Sequence, residues 1–345
     1  MKYIKEYGTH ENINITFVGD IMQHYNQIEY YSKNGYNMKD VFKNVKPIFD
    51  KSDFLVGCLE TTFNGTPYTS QYPKEGKNYK LSTPDIFAKQ LKKLGFNLLN
   101  VAQNHVLDYG EKGLLKTEEV LVENGLDYVG INKHLHDIQF KIKKSNVVFH
   151  NYTLLSDYFP TKNDLNILKT ARYYHLPKDY KLLSIFPGIN DLEPIENNIN
   201  IITLHFGDEM KVENEEQITI ADTLIKKGFD VVLGAHSHCP QSIKQYDNSL
   251  ISYSLGNFIS DQMHWILKDK PTEKGLILNI NINNYGEVNH VNYYLTESKV
   301  EENGKTEINI LNSGIIKNGE KKFDTKLFDY SKLNSKYSDY KIYNK

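Results

Sequence analysis

Between residues 13 and 258, short apolar runs alternate with helix-patterned stretches, and several of the apolar runs end on polar groups of one chemical class. The runs are INITFVGD (13–20), FLVGCLE (54–60), FNLLNVAQNH (96–105), LDYVGI (126–131), INIITLHFG (199–207), FDVVLGAHSH (229–238) and SLISYSLGNF (249–258). Between them lie helical patterns at 38–52, 82–95, 113–125 and 216–228. The stretch at 82–95 carries Ser and Thr as caps, a Pro in its first turn and a closing Gly, which are start and stop signals of a helix. The last third differs. KGLILNININNYGEVNHVNYYLTE (274–297) alternates strictly around an NNYG turn and predicts an antiparallel hairpin. Alternating strands and helices followed by meandering strands predict an α/β protein with mixed sheets and helices outside.

In open α/β sheets function collects where strands end. Here those ends carry Asp20, Glu60, Asn104, His105, His205, His236 and His238. Carboxylate, amide and imidazole groups are the donors that divalent Zn, Mn or Fe use. Neither Cys58 nor Cys239 is a strand-end candidate, which argues against a structural zinc knot. Any one of these residues has an ordinary use. An Asp after Gly caps or turns a chain, and a single His is commonly a hydrogen-bonded surface or core residue. What points to a site is that all of them fall at predicted strand ends. Glu60, with two oxygens, is suited to bridge two ions that would clamp a phosphoryl group or activate water.

FVGDIM, GCLETTF, NVAQNHVLDYGEKGLLKTEEVL, ITLHFGDE, VVLGAHSHCPQSIKQY and ISYSLGNF occur in this order. Together they resemble the CapA-type proteins of poly-γ-glutamate and capsule synthesis, a branch similar to the calcineurin-like metallophosphoesterases. The resemblance covers residues 13–295. It implies a four-layer α/β/β/α sandwich of the metallophosphoesterase type, with one or two divalent ions at the strand ends. Carried over by position, Asp20 and His238 would hold a first ion, Glu60 would bridge, and Asn104, His205 and His236 would hold a second. His105 would act as general acid above the metals, oriented by Asp108. Glu209 and Asn257 would bind substrate amide or carboxylate groups; the alternatives are hydrogen bonding around the site for Glu209 and strand-end capping for Asn257. The wider superfamily places a metal-binding His where Met22 stands here, so the first site lacks an imidazole. His24 would replace it or serve as an ordinary loop residue. Cys239 would be a packing residue.

The 345 residues are enough for one large domain. The expected division is a CapA-type domain over 1–300 and a peripheral extension over 301–345. A net charge of −2 argues against a nucleic-acid partner. Two cysteines are no disulfide framework in a chain this long. No apolar run has signal-peptide or membrane-helix length, so no membrane anchor is expected. As written, the chain is expected in the cytoplasm; it would work outside it if a leader has been removed.

The functional expectation is a metal-dependent hydrolase that cleaves a phosphoester or a γ-glutamyl amide, its partner an anionic polymer or a small γ-glutamyl or phosphorylated substrate. The alternatives are a non-catalytic accessory of polymer synthesis or export, and a small-molecule phosphodiesterase or nucleotidase. Segments 61–80 and 155–198 are expected to select the substrate, with Lys74, Lys77 and Lys80 facing carboxylates or phosphates, or simply solvated.

Overall fold

A computed structural model describes residues 2–3, 12–64, 80–154, 188–261, 271–317 and 319–321. In chain order the elements are β1 (Lys2–Tyr3), β2 (Ile13–Ile21), α1 (Tyr25–Lys33), α2 (Lys46–Phe49), β3 (Phe54–Leu59), α3 (Ile86–Leu94), β4 (Leu98–Asn100), α4 (Gly110–Glu123), β5 (Asp127–Val129), β6 (Asp137–Ile142) and β7 (Ser145–Thr153). They continue with β8 (Ile199–His205), α5 (Glu215–Lys227), β9 (Val231–Ala235), β10 (Ile243–Tyr246), β11 (Ser249–Ser252), β12 (Asn257–Ile259), β13 (Lys274–Ile282), β14 (Val288–Val300), β15 (Thr306–Ile316) and β16 (Gly319–Lys321).

Two eight-stranded sheets result. One runs β1-β6-β7-β8-β9-β11-β10-β16; the other runs β15-β14-β13-β2-β3-β4-β5, with β12 also paired to β2. Both are mixed. Strands β2 to β5 are parallel neighbours, as are β7, β8, β9 and β11, while β13, β14 and β15 pair antiparallel.

Side-chain alternation along the strands sorts the apolar residues into three layers of contact. Ile15, Phe17, Phe54, Val56 and Leu98 of one sheet meet Phe140, Phe149, Ile201, Val231 and Leu250 of the other. Phe54 stacks on Phe149 at 5.2 Å between ring centres, tying the sheets face to face. The intervening residues Val18, Leu55 and Leu99 turn outward and pack against Phe87 and Leu91 of α3 and Leu114 and Leu121 of α4. On the far side Ile202, Leu204, Val232 and Ile251 cover Ile220, Ala221 and Leu224 of α5. Three apolar interfaces between helix, sheet, sheet and helix make the four-layer α/β/β/α sandwich.

Several local signals act as expected. Gly95 and Gly228 close α3 and α5 in the left-handed conformation, and Asn214 with Gln217 forms a reciprocal cap at the start of α5. The helix expected over 38–52 shrinks to the single turn of α2 after a series of turns. Pro47 explains this: it has no N–H to donate, so a helix containing it starts there. Residues 306–316 pair along β14 from Val300–Thr306 to Val291–Ile316, and Ile308 is fully buried, so the second sheet continues across the boundary expected at residue 300. The expected site loops at 65–79 and 155–187, and the tail 322–345, lie outside the described residues. Among the described residues no helix is long and apolar enough to cross a membrane.

One irregularity aims the site. Strand β2 slips register against β3 between Val18 and Asp20, so Gly19 is an extra residue and Asp20 sits opposite Cys58. Strict alternation would turn Asp20 outward with Val18, into the apolar helix layer. The bulge returns it to the face between the sheets. Only glycine fits: a Cβ at position 19 would lie 1.9 Å from the carbonyl oxygen of Gly256. Gly19→Ala is therefore expected to lower stability by about 1–3 kcal/mol and to displace Asp20. Urea unfolding measures the first.

Candidate metal centre

Parallel strands send their carboxyl ends to one edge, and the two sheets bring those edges together. Asp20 ends β2, Glu60 follows β3, Asn104 and His105 follow β4, His205 ends β8, and His236 and His238 follow β9. All seven side chains are buried, Asp20 and Glu60 completely. Contacts cross between the sheets. His205 Nε2 lies 2.7 Å from Asn104 Oδ1 and 3.5 Å from Glu60 Oε1. His238 Nδ1 lies 3.5 Å from Glu60 Oε2 and 3.6 Å from Asp20 Oδ2. The backbone N–H of His236 donates to Asp20 Oδ2 at 3.2 Å. The rings of His205 and His236 are 4.9 Å apart, and those of His236 and His238 are 5.8 Å apart.

The turn that carries these imidazoles is strained. His236 and His238 both have positive φ, 92° and 56°. Such backbone in a residue other than glycine costs about 1–3 kcal/mol and persists only where its surroundings enforce it. Here Ser237, between them, accepts the Met210 N–H on its carbonyl, and its hydroxyl donates to the Cys239 carbonyl.

The charges do not balance simply. Both oxygens of Glu60, Oδ1 of Asp20 and Nδ1 of His236 are buried without a hydrogen-bond partner. Burial pushes the Glu60 carboxyl up, but the facing His238 and His205 outweigh it and hold it below its ordinary value. Burial likewise pushes His238 down, and the Glu60 charge, Asp20 and Glu209 overcome it and raise the imidazole to about 10. His236 has no such compensation: burial, then His205 and His238, push it well below its ordinary value. The buried carboxylates of Asp20 and Glu60, three of whose oxygens lack hydrogen bonds, face imidazoles at 3.5–3.6 Å, a donor set that suits a divalent cation.

Asn257 is fully buried inside this wall. Its Nδ2 donates to the Thr272 carbonyl at 2.8 Å, which leaves Oδ1 to accept from His238 Nδ1 at 3.1 Å. These two contacts make Asn257 an orienting group for His238. Glu209, half-buried in the loop after β8, acts on His238 through its charge. His105 and Asp108 form the outer part of the site. Their Nδ1 and Oδ2 are 3.0 Å apart, and the same Oδ2 accepts the Leu81 N–H at 2.5 Å. Lys80, next to Leu81, is exposed and stands 5.4 Å over the Tyr109 ring; Lys74 and Lys77 lie outside the described residues.

The sequence reading left the roles of Met22 and His24 open. Met22 is buried, and His24 opens α1 with its Nδ1 2.9 Å from Oδ1 of buried Asp261. Cys58, absent from the strand-end candidates, lies beside the rim residues. It faces inward two residues before Glu60, and its Sγ groups with donor atoms of Asp20 and His205, all within 4.8 Å of one another. Glu60, His236 and His238 form a second such group. The signal was available in the sequence: period-two alternation puts Cys58 on the same face as Glu60. Burial, then the Asp20 and Glu60 charges, raise its thiol well above the ordinary range. Cys239 is buried and meets the Lys211 carbonyl at 3.5 Å.

A sandwich with such a rim at its strand ends is a fold of the metallophosphoesterase type. Within that class, the family profile described as bacterial capsule synthesis protein PGA_cap matches residues 14–262, and the chain belongs to this family. It is 30% identical over 263 residues to the capsule biosynthesis protein CapA of Bacillus anthracis, across 73% of this chain and 61% of that protein. It is also 30% identical over 252 residues to the PGA biosynthesis protein CapA of Bacillus subtilis (strain 168), across 72% of this chain and 64% of that one. The chain thus spans less than two thirds of the length of these relatives. Similar solved structures include PhoD, with a TM-score of 0.45 and 10% identity over 91% of this chain and 72% of that one. A novel phosphatase from Mycoplasma pneumoniae gives a TM-score of 0.37 and 14% identity over 94% and 99%.

The charge arrangement sets a pH dependence for the metal-free protein. His238 has an ordinary value of 6.5 and a higher one when folded, so its contribution is full below 6.5 and is lost as pH rises through about 10. The urea midpoint in chelator is expected to fall between about pH 7 and about pH 10, and His238→Gln is expected to remove most of that slope. An unchanged slope in the variant contradicts the assignment.

Proposed function

We propose that this protein is a cation-dependent hydrolase of capsule or poly-γ-glutamate metabolism that cleaves a phosphoester or γ-glutamyl amide in an anionic substrate. The observation that carries this reading is the convergence of the buried Asp20 and Glu60 carboxylates, three of whose oxygens lack a hydrogen bond, on three imidazoles. Burying a charge costs several kcal/mol unless an opposite charge compensates, and a bound cation would supply that compensation. Asp20, Glu60, Asn104, His205, His236 and His238 would hold one or two ions of the Mn, Fe or Zn kind. A divalent cation supplies Lewis-acid chemistry there, polarising a phosphoryl or carbonyl oxygen and acidifying water.

The chain's own groups do the rest. Asn257 Oδ1 accepts a hydrogen bond from His238 Nδ1–H and so fixes the orientation of a ring that would help hold the cation. Asp108 does the same for His105: with Nδ1–H committed to the carboxylate, Nε2 is the nitrogen that hands a proton to the departing oxygen or nitrogen. His105 is suited to this because its side chain is 11% exposed while those of His205 and His238 are nearly sealed. A protein that only held a cation would need neither His105 nor Asp108, so the pair favours catalysis over a purely binding role. Glu209, half-buried after β8, would meet substrate amide groups. The capsule and poly-γ-glutamate names of the two CapA relatives support the substrate class.

Protein reconstituted with Mn²⁺ or Zn²⁺ and offered phosphoesters and γ-glutamyl peptides is expected to turn over one class. His105→Ala should lower kcat by about 10²–10⁴-fold with metal content unchanged. Equal turnover by wild type and His105→Ala would refute the assigned role.

A further inference from the structure

The rim chemistry described so far is oxygen and nitrogen, yet its inner wall contains a sulfur. Cys58 lies opposite Asp20 in the strand register, on the face that the Gly19 bulge also gives to Asp20. Its Sγ is 3.9 Å from His205 Nδ1. Sγ, a carboxylate oxygen of Asp20 and a ring nitrogen of His205 lie within 4.8 Å of one another. Oδ1 of Asp20 is buried and has no hydrogen-bond partner. Cys58 and His205 border a small cavity of about 10 Å³ between the sheets, roughly the space of one water, with Asn100, Asn151 and Thr203 in its wall.

We propose that Cys58 is a donor to a cation held with Asp20 and Nδ1 of His205, on the inner side of that ring, and that it biases this position toward zinc and other borderline or soft divalent ions. This rests on the reading of the rim as a cation site. The physical reason is ligand softness. Carboxylate and amide oxygens accept Mg²⁺ or Mn²⁺ readily, whereas a thiolate selects for zinc-like ions. Position 22 carries a thioether, a poor donor to hard ions, and Cys58 adds a strong sulfur donor on the neighbouring strand. On binding, the S–H bond is exchanged for an S–metal bond and the proton leaves to solvent.

Cobalt(II) reports the donor directly, because a coordinated thiolate gives an intense near-ultraviolet charge-transfer band. Chelator-treated full-length protein is titrated with Co²⁺, and bound cobalt is measured by equilibrium dialysis in parallel. Wild type and Cys239→Ser are expected to show the band. Cys58→Ser should bind cobalt without it, and its preference for Zn²⁺ over Mn²⁺ should fall by about tenfold or more. Cys58→Ala provides a second variant if the serine protein does not fold, and the wild-type spectrum decides in any case. Cobalt bound to wild type without the band, or a band that survives in Cys58→Ser, overturns the sulfur donor and leaves the hydrolase reading standing. No cobalt bound by wild type overturns both.

Discussion

Asp20 and Glu60 are completely buried, and three of their four carboxylate oxygens have no hydrogen-bond partner. Much of the architecture can be read as the means of holding these two charges in place. They reach the same rim because β2 and β3 are parallel, and they face the imidazoles because the opposite sheet, packed through Phe54 and Phe149, carries β8 and β9 to the same edge. Each unpaired buried charge opposes folding by several kcal/mol. The three apolar interfaces supply the opposing stabilisation, and the raised imidazole of His238 removes only part of the penalty.

Local strain follows from the same demand. The bulge at Gly19 and the left-handed backbone of His236 and His238 are costly in isolation. Each sits where a side chain must leave its regular direction to reach the common centre. The bulge turns Asp20 back between the sheets. The positive-φ turn lets two imidazoles spaced by one residue lie near the same carboxylates, while the N–H of His236 itself bonds to Asp20. Asn257, paired in register with Asp20 through β12, then locks the His238 ring. Backbone and side chains therefore converge on one small volume.

The mixed sheets with helices outside were legible in the sequence because their cause is periodic, while the four-layer stacking came from the family resemblance. Alternation of strand and helix patterns, capping residues and the NNYG hairpin are local signals, and the structure uses them nearly where they occur. Asp20, Glu60, Asn104, His205, His236 and His238 were legible because strand ends are visible as the end of an apolar run. Cys58 was passed over because it lies inside the run, where a small residue reads as packing; its neighbours from other strands give it chemistry. The pairing of Asn257 with His238 and of His24 with Asp261 joins residues 19 and 237 positions apart, which no local pattern reports. Helix 38–52 was over-read because its apolar spacing is helical while Pro47 fixes where a helix can start.

The central claim is that the rim binds a divalent cation through these residues. Elemental analysis of protein purified without chelator tests it most directly, beside the His236→Ala/His238→Ala double variant. The account predicts about one to two equivalents of Mn, Fe or Zn in the wild type and a near-complete loss in the double variant. Wild-type protein that takes up no divalent ion under any loading condition, or a double variant that keeps its full complement, would contradict it.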